Sequence, residues 1–260
     1  MWELVSGRIF AFAVLLVLFL LVTLFTYYTE HIPLPTVRRI AGLDAIEESV
    51  GRCTEMGRPV HFSIGDKGGL RSNLAPQIIA GVEVLRYVAS VVAKYKSNLI
   101  VSTPFPEAIP LIEDTLKGGY ADAGRPDYFD AEQIRYYPEG YTYTMGILGI
   151  LTQENCGANI MIGPMSGGTI LWGMTGQAVG AFGIAGTARQ VQLPYLVVTF
   201  DYTLIGEEIY AAGAYVSKDP SEVSALLAND LMRALALILL VTGVIALALG
   251  STVISSLIHF

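Results

Sequence analysis

The sequence predicts an α/β fold: a doubly wound, Rossmann-like and mostly parallel sheet of five strands, flanked by an N-terminal and a C-terminal transmembrane helix. Three observations support this prediction. Hydrophobic residues make up 53% of the 260 residues and charged residues only 15%, whereas about 25% charged is typical of soluble domains. Long uncharged segments lie towards both ends of the chain. Between them, short runs rich in Val and Ile alternate with helical patterns, which is typical of a parallel sheet covered on both faces.

The first membrane helix is predicted from Ile9 to Tyr28, a run dominated by Leu, Val, Phe and Ala without a charged residue. It is about as long as a helix that crosses a bilayer. The alternative is a cleaved signal peptide, whose apolar stretch of about 7–15 residues precedes small residues at a cleavage site. The longer stretch here, which ends in Thr-Tyr-Tyr-Thr-Glu-His, favours an uncleaved anchor. The second membrane helix is predicted from Ala234 to Phe260, which contains no Lys, Arg, Asp or Glu.

The basic residues near these helices predict the orientation of the chain in the cell membrane. Arg8 alone precedes the first helix, whereas Arg38 and Arg39 follow it closely. Lys218 and Arg233 precede the second helix, and no basic residue follows it. Because Lys and Arg are enriched on the cytoplasmic side, the intervening domain is predicted to be cytoplasmic and both termini to lie on the outer side.

Four segments result. The N-terminal anchor takes residues 1–30, an amphipathic juxtamembrane helix 31–58, the α/β domain 59–218, and a helix that continues into the C-terminal anchor 219–260. Apolar residues at helical spacing indicate the juxtamembrane helix. It would lie along the membrane or pack on the domain, and its acidic polar face disfavours tight binding to anionic lipid.

Within the α/β domain, strand and helix patterns alternate. The predicted strands cover residues 59–65, 98–103, 132–137, 159–165 and 194–200. The predicted helices cover residues 75–95, 106–120, 141–155, 167–186 and 203–217. Proline near the first turn of one helix and glycines at the end of the next mark their limits. Five strands with intervening helices fit a doubly wound fold.

The segment between Glu154 and Arg189 carries no charge, and two interpretations of it are open. It forms a strand, a turn and a buried helix of small residues, or it is a third membrane segment. Nine glycines fall in it, whereas the run from Ile9 to Tyr28 has none, which favours the buried helix. Close helix packing, within the chain or between chains, is the expected use of such glycines. The predicted oligomer interface combines them with a tyrosine-rich loop: Gly173, Gly176, Gly180, Tyr141 and Tyr143.

Ligands of open α/β sheets bind beyond the carboxyl ends of the strands. The turns expected there contain Gly-Asp-Lys-Gly-Gly and Met-Ser-Gly-Gly-Thr, whose free backbone N–H groups would suit an anion or a nucleotide. Neither turn matches a P-loop or a dinucleotide fingerprint, so a purely structural turn is the alternative. The predicted ligand-binding residues are Asp66, Lys67, Gly68, Gly69, Ser102, Ser166, Gly167, Thr169 and Asp201. Further polar residues of the same edge are Arg71, Thr103, Glu107, Tyr136 and Glu139.

Several classes of function are disfavoured. A net charge of −7 without a basic stripe argues against nucleic acid. The two cysteines and three histidines are too scattered to supply the roughly four close ligands of a zinc site, so no metal is predicted. Ser166 does not lie in a Gly-x-Ser-x-Gly elbow, and His61 falls inside a strand. Glu207 and Glu208 are expected to cap a helix or pair structurally. No catalytic residue is predicted, and the cofactor is unknown.

Two stretches, IAGLDAIEESVGRCTEMGRPVHFSIG from Ile40 and LIGEEIYAAGAYVS from Leu204, resemble a family of uncharacterised prokaryotic membrane proteins. Members of that family look like this chain in having a hydrophobic segment, this signature and a second hydrophobic segment. The resemblance covers nearly the whole chain. It implies no activity, cofactor or catalytic residue.

Two hypotheses about function follow. The first is a membrane-anchored α/β domain that acts as a structural or scaffolding subunit of a homo-oligomer or a larger membrane complex, with membrane lipid and another subunit as partners. The second is a domain that binds an anionic ligand or nucleotide, or acts as an enzyme, in the crevice at the carboxyl ends of the strands. A transport role would need more membrane segments than the sequence predicts.

Overall fold

The computed structural model describes residues 9–29, 41–217 and 220–248. The chain divides into two compact units, Met1–Val37 with Lys218–Phe260, and Arg38–Ser217. The helices of the described residues are α1 (Ile9–Thr29), α2 (Ala41–Met56), α3 (Ala75–Tyr95), α4 (Ile109–Asp122), α5 (Tyr141–Gln153), α6 (Thr169–Val179), α7 (Leu193–Thr199), α8 (Glu208–Ser217) and α9 (Pro220–Ala248). The strands are β1 (Val60–Ser63), β2 (Leu99–Thr103), β3 (Ile134–Tyr136), β4 (Ala158–Ile162), β5 (Phe182–Thr187) and β6 (Tyr202–Ile205).

All six described strands form one parallel sheet in the order β3-β2-β1-β4-β5-β6. This is the strand order 3-2-1-4-5-6 of the Rossmann fold. In the centre, His61 of β1 is paired with Ile100 of β2 on one side and with Asn159 of β4 on the other. The prediction of a doubly wound, Rossmann-like α/β domain is confirmed.

The predicted number of five strands is wrong, because the last third of the domain contains two strands and a helix that differ from the prediction. Residues 194–200, predicted as a strand, form most of α7, whose first turn contains Pro194. Strands β5 and β6 fall almost entirely in residues predicted as helices. The glycines of β5 interrupt the pattern of large apolar residues that is typical of a buried strand. One of them, Gly183, is needed because Phe200 packs closely over it, with its Cδ1 atom 3.0 Å from the point where a Cβ would stand. A strand that needs small residues therefore resembles a small-residue helix in sequence.

The uncharged segment between Glu154 and Arg189 forms β4, α6 and β5. Helix α6 has eleven residues, a length of about 16 Å at the usual rise per residue. That is about half of the ~30 Å of hydrocarbon that a membrane helix must cross. The segment therefore belongs to the sheet and its covering helices.

Helices cover the sheet on both faces and enclose two separate cores. The larger core lies under α2, α3, α4 and α8 and receives Val60, Phe62 and Ile64 from and just after β1. The smaller core lies under α5, α6 and α7. The alternate residues of β1, His61 and Ser63, are buried on this second side. Helix α2, the described part of the predicted juxtamembrane helix, packs its apolar side into the larger core.

Among the helices whose side chains are described throughout, α3 is long and apolar enough to cross a membrane by length and composition, and 61% of its apolar window is buried inside the domain. That burial is typical of a core helix. In the other unit, α1 and α9 contact each other. Part of each predicted anchor, including residues 249–260, lies outside the described residues.

Candidate functional site

The strand order reverses between β1 and β4, and the turns that follow these two strands meet at the carboxyl edge of the sheet. The backbone N–H groups of Asp66 and Lys67 donate to the Pro164 carbonyl at 2.9 and 3.2 Å. Gly65, with a φ of 94°, approaches Pro164 so closely that a Cβ would stand 2.5 Å from its carbonyl oxygen. A side chain at this position would separate the two turns. The glycine at position 65 therefore allows the two predicted turns to lie in contact.

Asp66 joins the two turns through its side chain. The backbone N–H of Ser166 donates to Asp66 Oδ1 at 2.7 Å, and the Ser166 hydroxyl donates to Asp66 Oδ2. Asp66 is only 2% exposed, and this burial raises its pKa to about 6, against the opposing effect of the Ser166 hydrogen bonds. The Asp66 carboxylate thus accepts from the Ser166 N–H, one of the backbone groups predicted to be free to bind an anion. Binding of an anionic ligand or nucleotide here stays a prediction, and Asp66 would oppose it.

The other predicted residues of these turns surround this contact. Lys67 Nζ lies 3.3 Å from Glu139 Oε1 in a half-exposed ion pair. Glu107 Oε1 lies 2.7 Å from the position that a Cβ of Gly69 would take. A Cβ on Gly68 would likewise lie close to Ser72 and Leu74, whereas Gly167 faces open space. Thr169 is buried, and its hydroxyl donates to the Ser166 carbonyl at 2.6 Å.

Arg189 also reaches this edge, although it is not among the predicted ligand-binding residues. Its Nη1 donates to the Met165 carbonyl, in the turn that follows β4. Arg189 lies just beyond β5, which was not predicted. The available signal was the Phe-Gly-Ile-Ala-Gly-Thr run that ends two residues earlier, because polar residues after a parallel strand meet at this edge.

Ser102 lies inside the sheet, in a buried chain of hydrogen bonds, rather than on an open crevice. Its Oγ is 2.8 Å from His61 Nε2 and 3.0 Å from the Tyr143 hydroxyl. Tyr143 is also 2.7 Å from the Ser63 hydroxyl, and His61 Nδ1 is 2.8 Å from Asn159 Oδ1. Tyr143, predicted to face another chain, is therefore fully enclosed in its own chain.

The charge state of His61 determines which groups donate and which accept in these hydrogen bonds. Burial lowers the pKa of His61 to about 4, so the imidazole is neutral at pH 7. Since Asn159 Oδ1 can only accept, Nδ1 carries the proton and Nε2 accepts from the Ser102 hydroxyl. These bonds join β1, β2, β4 and α5 below the carboxyl edge, which indicates a structural role.

Replacing Tyr143 by phenylalanine is expected to lower the free energy of unfolding by about 1–3 kcal/mol, because the buried Ser63 and Ser102 hydroxyls each lose a partner. Unfolding of the full chain in mild detergent, followed by far-UV circular dichroism, measures this. Tyr120→Phe is the matched control: Tyr120 is equally buried, but its hydroxyl has a single partner, Gln133 Oε1, which also accepts from the Asp130 N–H. Equal losses in the two variants would contradict the prediction.

Asp201 lies at the opposite edge of the sheet from the other predicted ligand residues. It precedes β6 instead of following a strand, and its Oδ2 accepts from the Gly183 N–H at 2.7 Å. With Arg52, Glu55 and Phe182, it lines a cleft of about 500 Å³ at the amino edge. Glu208 also has a structural contact, since its Oε2 accepts from the Ile205 N–H at 2.9 Å. This contact, just before α8, fits the expectation that Glu208 caps a helix.

The outer surface of α5, α6 and α7 is mostly apolar, and its polar exposed residues, such as Gln153 and Gln177, are uncharged. None of these helices contains Lys, Arg, Asp or Glu. We call this surface, together with the uncharged turn Gln190–Gln192 that precedes α7, the uncharged helical face. Its exposed apolar side chains are Tyr141, Met145, Ile170, Leu171, Met174, Val191, Tyr195, Val197 and Val198.

The predicted interface glycines lie beside and beneath this face. A Cβ on Gly173 would overlap Thr199 of α7, and one on Gly176 would lie 3.5 Å from Asn159 Nδ2. Gly180, with a φ of 71°, ends α6 in a left-handed conformation. Gly173 thus serves close packing within the chain, and Gly176 is buried beside it, although a Cβ there would make only an ordinary contact. Tyr141, in contrast, is 88% exposed.

Among the described residues, no group of three or more His, Cys, Asp or Glu side chains could hold a metal ion. Cys53 and Cys156 are buried free thiols. No curated protein and no solved structure matches the chain. The family model DUF6754, described as a domain of unknown function, matches residues 3–258, nearly the whole chain. The chain therefore belongs to the DUF6754 family.

Proposed function

We propose that this protein is a membrane-anchored structural subunit of a larger assembly. The observation that carries the proposal is the uncharged helical face. Soluble monomers rarely expose a contiguous apolar patch of more than a few hundred Å² without a binding role. Three successive helices without a charged residue, whose valines and methionines point outward, therefore require a partner that covers them.

The unit that contains α1 and α9 supports the membrane part of the proposal. Helix α1 has 21 residues and no charged side chain, and its side chains Phe12, Leu15 and Phe19 are exposed. Leu237 and Leu240 of α9 are exposed in the same way. The apolar helix α1 and the uncharged part of α9 after Arg233, with their outward-facing side chains, suit lipid. The distribution of Lys and Arg supports a cytoplasmic α/β domain with both termini on the outer side.

The polar side chains that could have served ligand binding or catalysis are instead hydrogen-bonded to one another, which supports a structural role. Asp66 is bonded to Ser166, and Ser102 and His61 are bonded to each other inside the sheet. Each of these contacts ties one strand or turn to the next. We therefore favour scaffolding over ligand binding or catalysis for this domain.

Cysteine labelling tests the anchoring and the orientation. The variants Lys117→Cys, on α4, and Ser6→Cys, before the first predicted membrane helix, would be treated with a membrane-impermeant maleimide. The native cysteines are buried and give little background. Intact cells should label Ser6→Cys alone, and permeabilised cells should label both variants. The chain should also stay in the membrane pellet at alkaline pH.

Three results would contradict the proposal. Release of the chain by alkaline extraction would contradict the anchors. Labelling of Lys117→Cys in intact cells would contradict the orientation. Chemical crosslinking in native membranes that yields only the monomer would contradict the role as a subunit of an assembly.

A further inference from the structure

The two helical faces of the domain differ in charge. On the face covered by α3 and α4, charged side chains form ion pairs at the surface: Arg86 Nε lies 2.8 Å from Asp122 Oδ2, and Lys94 Nζ lies 2.8 Å from Glu47 Oε1. That face is suited to water. On the other face, α5, α6 and α7 supply no charged side chain at all. The difference marks the uncharged helical face as the surface that a partner covers.

The size of this face matches one side of a protein interface. Val198 is 75% exposed, Val191 73% and Met174 55%. Two of the nine exposed apolar side chains are tyrosines, each of which can bury about 150–250 Å², and the seven aliphatic or methionine side chains add to this, so the face provides several hundred Å². A standard interface buries roughly 800 Å² on each partner. Helix α6 contacts both α5 and α7, so the three helices present one continuous surface with α6 at its centre.

Charge complementarity selects the partner. A charged protein surface would leave its own charges unpaired and desolvated against this face, which is costly. A lipid headgroup surface is bound by apolar helices that also carry Lys or Arg, and these helices carry neither. An identical uncharged face has no such cost. Copies anchored in the same membrane would also be held at a high effective concentration.

We infer that the uncharged helical face is the contact between two copies of this chain, related by a two-fold axis near α6. The inference rests on the proposed function and names its partner. A symmetric pair is the commonest form of oligomer, and in it the residues close to the axis meet their own copies. Met174 on α6 therefore lies close to Met174 of the second copy, and Val198 on α7 packs further out in the same contact.

Paired charge substitutions test the inference on the full chain in mild detergent and in neutral lipid nanodiscs, with the particle mass measured by native mass spectrometry. The wild type should be a dimer. Met174→Glu combined with Val198→Glu should weaken dimerisation by roughly 100-fold or more, because carboxylates would be buried without partners. The matched control is Ile79→Glu on α3, an apolar helix residue of similar exposure, 47%, on the opposite side of the sheet. It should leave the dimer intact.

Crosslinking of Met174→Cys provides a second measurement that needs no loss of stability. A short bis-maleimide should join two copies at twice the monomer mass, whereas Ile79→Cys should not crosslink. A membrane-anchored wild type that forms a heteromeric particle would overturn the inference and leave the proposed function standing. An anchored wild-type monomer, a dimer that survives both glutamates, or quenching of a label at Met174→Cys by brominated lipid would also overturn it. Failure of membrane anchoring is instead reported by the alkaline extraction.

Discussion

Replacing Trp172 by alanine is expected to lower the free energy of unfolding of the α/β domain by about 3–5 kcal/mol, the range for removing a large aromatic side chain from a core. Trp172 is fully buried in the smaller core. Its indole ring lies edge-on to Tyr143, with centroids 6.0 Å apart. Alanine would leave a cavity in this core, because the surrounding side chains relax only partly into the space. Far-UV circular dichroism during urea unfolding in mild detergent measures the loss.

Trp172→Phe is the control for this prediction. Phenylalanine keeps most of the buried surface and removes the indole Nε1, a buried donor that has no hydrogen-bond partner among the described residues. Its cost should therefore be well below that of alanine. If alanine cost less than about 1 kcal/mol, the smaller core would not be packed as described.

Replacing Asp66 by asparagine is expected to change how stability depends on pH. Burial raises the pKa of Asp66 from 3.8 to about 6 in the folded protein, so the folded state holds this proton more tightly than the unfolded state. The stability that Asp66 contributes is fully present below about pH 3.8 and is lost as the pH rises through about 6. A tenfold change in proton affinity corresponds to about 1.4 kcal/mol, so the loss approaches ~3 kcal/mol.

Asparagine does not titrate, and its side-chain oxygen can still accept from the Ser166 N–H. The stability of Asp66→Asn relative to the wild type should therefore rise between pH 4 and pH 7. His61 acts in the opposite sense, because its pKa is lowered from 6.5 to about 4 and its contribution is lost as the pH falls. That contribution is common to both proteins and cancels in their difference.

Unfolding midpoints of the two proteins, measured across this pH range, test the prediction. Glu139→Gln is the matched control, since it removes a half-exposed carboxylate that is paired with Lys67 at the same edge. Its effect on the unfolding midpoint should be small, because a half-exposed ion pair contributes only about 0–1 kcal/mol. Parallel pH profiles for Asp66→Asn and the wild type would show that Asp66 is not buried as described.

The sequence predicted the first part of the sheet well and the last part poorly, for physical reasons. Strands β1, β2 and β4 are central, so their apolar runs are continuous and easily recognised. Gly183 and Gly186 in β5 have no such pattern. Helix α7 reads as a strand because Val197 and Val198 suggest burial on both sides, yet in the helix both valines are exposed. These two valines, which favour a strand in the sequence, lie on the uncharged helical face.

The candidate site shows a similar division. Asp66 and Ser166 were both predicted at the carboxyl edge because each follows a strand, but a spacing of 100 residues gave no sign that they bond to each other. Asp201 was misplaced because the strand predicted before it is a helix. Tyr143 was assigned to the surface from the composition of its loop, whereas the first turns of α5 direct it inward, towards Ser63 and Ser102.

The central position of β1 has a consequence for synthesis of the protein. Val60 of β1 pairs with Leu99 on one side but with Ala158 on the other, so one edge of the first strand stays open until about a hundred more residues have left the ribosome. At ordinary translation speeds this takes roughly 5–20 s. Throughout that interval an apolar strand edge is available for wrong pairing. A nascent chain of this length should therefore depend on a chaperone, and dependence should end once β4 has emerged.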